Sequence, residues 1–157
     1  MSLLVRLLPF VLPIMSKWVS SHERRILRLG VPLSTGEMSD ASRMGVEYPE
    51  KIRLMKVDHI PMLNGPLVKT AARFIPQISS NTVGLALRHG IYVRSKYWGN
   101  RGLVAHECVH TAQYERLGGI SEFLRAYFTQ CIEVGYPDAP LEQEAILRSS
   151  GLMNEQR

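Results

Sequence analysis

The rhythm of apolar and polar positions changes several times along the chain. Residues 3–15, LLVRLLPFVLPIM, are almost wholly apolar, but their uninterrupted run, 7–15, is only nine residues long and too short to span a bilayer. Residues 16–30, SKWVSSHERRILRLG, predict a helix that stops at Gly30. A second short helix is expected within 33–46, and KIRLMKVDHI (51–60) is a run of strand formers closed by Pro61. NGP (64–66) signals a turn, and LVKTAARFI (67–75) reads as helical. Residues 82–97, TVGLALRHGIYVRSKY, predict a hairpin. A three-residue loop, Arg88-His89-Gly90, would pair Leu87 with Ile91 and Leu85 with Val93, with glycine where a left-handed backbone is wanted. A two-residue loop that paired Leu85 with Arg94 would be a poorer match. Helices are then expected at 101–116, 120–134 and 139–149, the first two divided by Gly118-Gly119. Asp138 is the expected N-cap of the last, with Pro140 in its first turn. Strands first and helices later predict an α+β domain. Its small antiparallel sheet would consist of hairpin 82–97 and strand 51–60, packed on the helices.

The 157 residues suit one domain, with 1–30 as an apolar helical extension. Net charge is +5, but the cations are scattered without interleaved aromatics, so no nucleic acid is expected as a partner. Two cysteines, Cys108 and Cys131, make no disulfide framework and fit a reducing, cytoplasmic setting. The apolar start lacks a clear small-x-small cleavage site. Residues 1–25, with Lys17, Arg24 and Arg25 at their end, are expected to dock on the core, on a partner, or peripherally on a membrane.

The chemistry concentrates in RGLVAHECVHTAQYERLGG (101–119). His106 and His110 are four apart, so on a helix both imidazoles lie on one face, about 6 Å apart at Cβ, as a shared zinc ion requires. Glu107 lies at the edge of that face, where a carboxylate can take a proton from a water on the metal without displacing it. The flanks Leu103, Val104, Ala105, Cys108, Val109 and Ala112 leave little polar surface, so the helix is expected to be buried and its polar groups to need partners. A third ligand is expected in PDAPLEQEAILRSSG (137–151). Glu142 and Glu144 point to nearly opposite sides of a helix. Glu142 has Ala145 and Ile146 at i+3 and i+4, whereas Glu144 has Arg148 at i+4. Glu142 is therefore assigned to the metal and Glu144 to a surface ion pair. Tyr136, in the loop before that helix, is the candidate donor to an oxyanion; loop packing is the alternative. Tyr114, Tyr127, Phe128 and Cys108 are expected in the core, His22 and His89 at the surface, and His59 in a structural role.

HECVHTAQ followed by LEQEA resembles the gluzincin-type zinc metallopeptidases, in which H-E-x-x-H is completed by a glutamate on a later helix. The eight-residue stretch also resembles the H-E-x-x-H-x-x-Q of compact bacterial domains of that clan. The resemblance covers about residues 83–147. It implies a minimal zincin-like domain with its metal-site core at 83–150, a Zn2+ ion on His106, His110 and Glu142, and a peptide or protein substrate hydrolysed by water that Glu107 activates. It also implies that the strand 91–97 could hold the peptide by edge pairing; a paired or covered strand is the alternative. One departure stands out. Many members carry an aspartate four residues after the ligand glutamate, where this chain has Ile146, so Gln113, His59 or another acceptor must orient the histidine ligand. The alternative is a zinc-holding structural or interaction domain without turnover, an accessory of a larger bacterial assembly.

Overall fold

The computed structural model describes residues 2–63, 65–66 and 82–154. Asn64 of the expected turn at 64–66, and the whole of the expected helix at 67–75, fall outside them. Within the described residues the chain is α+β, with five α-helices and a four-stranded sheet. In chain order these are α1 (Leu3–Leu29), β1 (Val31–Pro32), α2 (Thr35–Arg43), β2 (Arg53–Val57), β3 (Gly84–Leu87) and β4 (Gly90–Arg94). They are followed by α3 (Arg101–Leu117), α4 (Ile120–Glu133) and α5 (Pro140–Asn154).

The sheet is mixed rather than antiparallel. Its order is β1-β2-β4-β3, with β2 parallel to β4 and the other pairs antiparallel. Strand β3 begins at the end of the sheet where β2 finishes and runs back antiparallel to it, so the hairpin turn sets β4 beside β2 in the same direction. The interior strand β4 alternates between two cores. Tyr92 joins the cluster with Leu12, Val19, Ile26, Phe123 and Phe128 from α1 and α4. Ile91 and Val93 join Ala41, Val104, Cys108 and Ala145 from α2, α3 and α5. Residues on alternate faces of one strand thus serve two helical layers, which is why β4 reads as a continuous apolar run.

The hairpin differs from the expected one. Leu87 pairs with Gly90, Ala86 with Ile91 and Leu85 with Tyr92, so the loop is the two residues Arg88-His89. The left-handed position falls on Arg88, at φ 60°, and several contacts hold it there. Arg88 forks onto Glu23 of α1 at 2.9 and 2.8 Å, and its carbonyl accepts the Thr111 hydroxyl at 2.6 Å. Gly90 is glycine for a different reason than the turn, because a Cβ there would lie 3.0 Å from the Ile26 side chain. Helix α1 therefore presses directly on the hairpin.

The apolar start and the helix expected at 16–30 form one helix, α1, that runs through Pro9 and Pro13. Both prolines are exposed, so water can satisfy the carbonyls they release. His22 and His89, expected at the surface, are not free there. His22 Nδ1 lies 2.7 Å from the Tyr92 hydroxyl, and His89 Nε2 lies 2.8 Å from Glu115. Both are drawn inward by α1 packing over the hairpin.

Helix α3 begins at Asn100, whose side chain accepts from Leu103 N, and ends at Gly118 in the left-handed conformation, φ 108°. Gly119, at φ 139°, completes the reversal into α4. Helix α5 starts at Pro140, so Asp138 is not its cap. Instead Gln130 of α4 accepts the Leu141 N–H at 2.9 Å, tying the first turn of α5, where Glu142 sits, to α4.

Candidate metal centre

Three helices supply the site. Helix α3 lies against the outer edge of β3 and brings His106, Glu107 and His110 on successive positions of its inner face. Helix α5 returns antiparallel in sequence order, after the α4 excursion, and delivers Glu142. His110, Glu107 and Glu142 are buried and His106 is half-buried. The His106 Nε2 lies 3.2 Å from one Glu142 oxygen, and the His110 Nε2 lies 3.3 Å from the other. One ligand atom from each of the three residues fits within 4.8 Å of the rest. A tetrahedral ion with bonds of ~2.0–2.1 Å separates its ligand atoms by about 3.3 Å, so the two short separations suit such an ion.

Hydrogen bonding around the site sorts out the tautomer. The amide nitrogen of Gln113 donates to the Leu141 carbonyl at 2.8 Å and to Glu144 at 2.9 Å. Its oxygen must then face the His110 Nδ1, 2.9 Å away, and an acceptor there assigns the proton to Nδ1. In the neutral ring, Nε2 therefore presents a lone pair to the Glu142 carboxylate. In that neutral form the buried Nε2 has no hydrogen-bond partner among the described residues; only a protonated Nε2 could donate to the Glu142 oxygen 3.3 Å away. Two electron-rich atoms face each other, and only a cation or a second proton between them makes the contact favourable. The residues present fit a divalent metal, offering two imidazole nitrogens and one carboxylate.

Without a metal the cluster must hold protons. Burial works against a charged His110, but hydrogen bonding to Glu142 and the charges of Glu107 and Glu142 outweigh it, so its pKa is raised. Burial alone would raise Glu142 as well. The hydrogen bonds from His106 and His110 prevail and hold it well below the ordinary carboxylate range. Burial pushes the Glu107 carboxyl up, against the pull of His106 and His110. Glu107 also accepts the Ala86 N–H of β3 at 2.9 Å. Gly84 of the same strand has no room for a Cβ, which would stand 3.0 Å from Glu107 Oε1.

Glu144 takes the role assigned to it, pairing with Arg148 at 3.3 Å and, through a fork, with Arg116 at 2.9 and 2.8 Å. The Arg116 contact, with those of Gln113 and Arg148, holds its carboxyl down to about 2. Of the two acceptors expected to orient a histidine, Gln113 meets the His110 Nδ1, while His59 is exposed. Tyr136 is 41% exposed in the loop between α4 and α5. Its hydroxyl is pushed up by burial and then by the charges of Glu142 and Glu107.

Tyr127 belongs to the core as expected, but it also donates its hydroxyl to Glu142 at 2.9 Å. Tyr127 and Gln130 are site-building residues that sequence reasoning missed. They sit three apart on α4 and face α5, and only knowledge of which helix packs there could have found them. The edge-pairing expectation is overturned. Strand β4 has neighbours on both sides. On the outer strand β3, the outward N–H and C=O of Ala86 are met by Glu107 and, at 3.4 Å, by Tyr114.

Comparison with known proteins returns no matching family model, no matching curated protein and no matching solved structure.

Proposed function

We propose that the protein is a zinc metallopeptidase, with His106, His110 and Glu142 as metal ligands and Glu107 as the general base. One observation carries this reading: the unpartnered, buried Nε2 of His110, its tautomer set by Gln113, aimed at the Glu142 carboxylate 3.3 Å away. A zinc ion held there would lower the pKa of water and polarise a carbonyl. Glu107, on the same helix face, takes a proton from the attacking water and returns it to the leaving amine. Gln113 fixes His110 in the ligating tautomer, and Tyr127 and Gln130 steady Glu142 and its turn. Tyr136 is the candidate donor to the oxyanion.

The test is metal analysis of protein purified without chelator, followed by a peptide-library digest. About one zinc per chain and cleavage lost in Glu107→Gln with zinc retained is the expected outcome. Cleavage that survives this substitution refutes the base assignment. A second reading, a zinc-holding domain without turnover, is favoured by the Glu107–Ala86 bond, which lets Glu107 act as a strut for β3. A zinc-loaded protein that cleaves nothing which His106→Ala leaves intact supports it.

We further propose that α1 rests on an anionic membrane surface. Among the described residues, α1 is the one helix long and apolar enough to cross a membrane, with 22% of the qualifying window buried in the protein. Leu8, Leu12 and Met15 pack into the core, so this stretch lies along the body of the protein instead of leaving it. Leu3, Leu7, Phe10 and Ile14 form an outward stripe, 72%, 41%, 75% and 59% exposed. They fall within an arc of about 60° at 100° per residue, flanked by Arg6, Lys17, Arg24 and Arg28. Flotation with phosphatidylglycerol vesicles, but not with phosphatidylcholine alone, and its loss in Phe10→Asp, is expected. Dimerisation in place of flotation overturns it.

A further inference from the structure

Beside the metal centre lies a cavity of about 50 Å3 that the site chemistry does not use. Glu107 and His110 form its polar end. Among the described residues its other walls are mainly apolar, with Leu85 and Leu87 of β3, Phe123 and Leu124 of α4, and Trp18 and Val19 of α1. Such a space holds roughly four waters, the size of an isobutyl group and smaller than an indole. Water there would find few polar partners, so an apolar group is the better occupant. We infer that this cavity is the specificity subsite and that it receives a leucine-sized aliphatic side chain of a substrate whose reacting carbonyl sits at His106, His110 and Glu142. The inference rests on the metallopeptidase reading and adds to it the substrate class. It also gives α1 a part in selectivity, because Val19 and Trp18 close one side of the space.

Three small hydroxamates on zinc-loaded protein provide the test, since each has the same metal-binding head: acetohydroxamate, 3-methylbutanehydroxamate and indole-3-acetohydroxamate. The isobutyl compound is expected to bind roughly 10- to 50-fold tighter than the methyl one, and the indole compound to gain less than the isobutyl. Val19→Phe should cancel the isobutyl advantage and leave acetohydroxamate binding unchanged. Leu124→Phe fills the same space from the facing helix and serves if Val19→Phe does not fold. Equal binding of the methyl and isobutyl compounds overturns the subsite while the metal centre stands. Failure of all three to bind zinc-loaded protein overturns the metal-centre reading and the subsite together.

Discussion

The metal-free and zinc-bound proteins should respond oppositely to pH, because protons and metal compete for one gap. His110 has a raised pKa in the folded, metal-free protein. Its contribution is fully present below the unfolded value of about 6.5 and is lost as pH rises through the higher folded value. Glu142, held low, contributes above its unfolded value and loses that contribution as pH falls through the folded one. The cluster alone thus favours the metal-free fold most between roughly pH 4.5 and 6.5. Zinc needs the neutral imidazole, so its affinity climbs where the proton's contribution fades. Zinc at a hundredfold excess over its dissociation constant at pH 8 adds about 2.7 kcal/mol. For a chain of this size that is a melting shift of roughly 5–10 °C. At pH 5.5 a proton on His110 must be displaced, so the zinc shift there should be clearly smaller than at pH 8. Thermal melts at fixed total zinc from pH 5.5 to 8, repeated on His110→Ala and Glu142→Ala, provide the measurement. A zinc shift equally large at both ends of that range, or undiminished in either variant, refutes the placement of the ion.

Gln113→Leu strips His110 of its acceptor and leaves the Leu141 carbonyl without the 2.8 Å bond. Zinc affinity by chelator competition should fall about 10- to 100-fold, and unchanged affinity would show that the tautomer is set some other way. Tyr127→Phe removes the hydroxyl at 2.9 Å from Glu142 and should weaken zinc binding, whereas Tyr136→Phe should leave zinc in place and lower kcat by roughly 10- to 1000-fold; the reverse pattern would exchange their roles. Arg88→Met leaves Glu23, 1% exposed, buried without its fork. A loss of about 2–4 kcal/mol in urea unfolding is expected, towards the low end for buried pairs because the Arg88 side chain is 41% exposed.

How much of this was legible in the sequence depended on whether a residue's role was set locally. The last three helices were, because their signals are short-range: the Gly118-Gly119 break and Pro140 lie within a turn of the boundaries they set. Glu142 against Glu144 was also local, decided by the apolar Ala145 and the cationic Arg148 on opposite faces of one helix. Sheet direction was not. Nothing in residues 51–60 records that they run parallel to β4, since that depends on where the chain returns after residue 82. The hairpin register failed for a related reason. Gly90 was read as a turn residue, but its missing Cβ answers to Ile26, sixty-four positions earlier in the chain, and Arg88 could adopt the left-handed backbone only with Glu23 and Thr111 to hold it.

Residues of the proposed metal centre divide along the same line. Gln113, three positions from His110 on the same helix, was within reach of a local reading, and it meets the His110 Nδ1. Tyr127 and Gln130 act on Glu142 and Leu141 across the α4–α5 contact, and an amphipathic pattern marks both simply as inward-facing. Their effect depends on geometry, because Gln130 ties the first turn of α5, where Glu142 sits, to α4, and Tyr127 donates to the Glu142 carboxylate. A site of this kind shows its ligands through short motifs, whereas the side chains that aim those ligands are fixed by helix packing. Substitutions on α4 should therefore alter metal affinity although no α4 residue is itself a ligand. If zinc binding proved indifferent to both Tyr127→Phe and Gln130→Ala, the ligating carboxylate would have to be aimed by α5 alone.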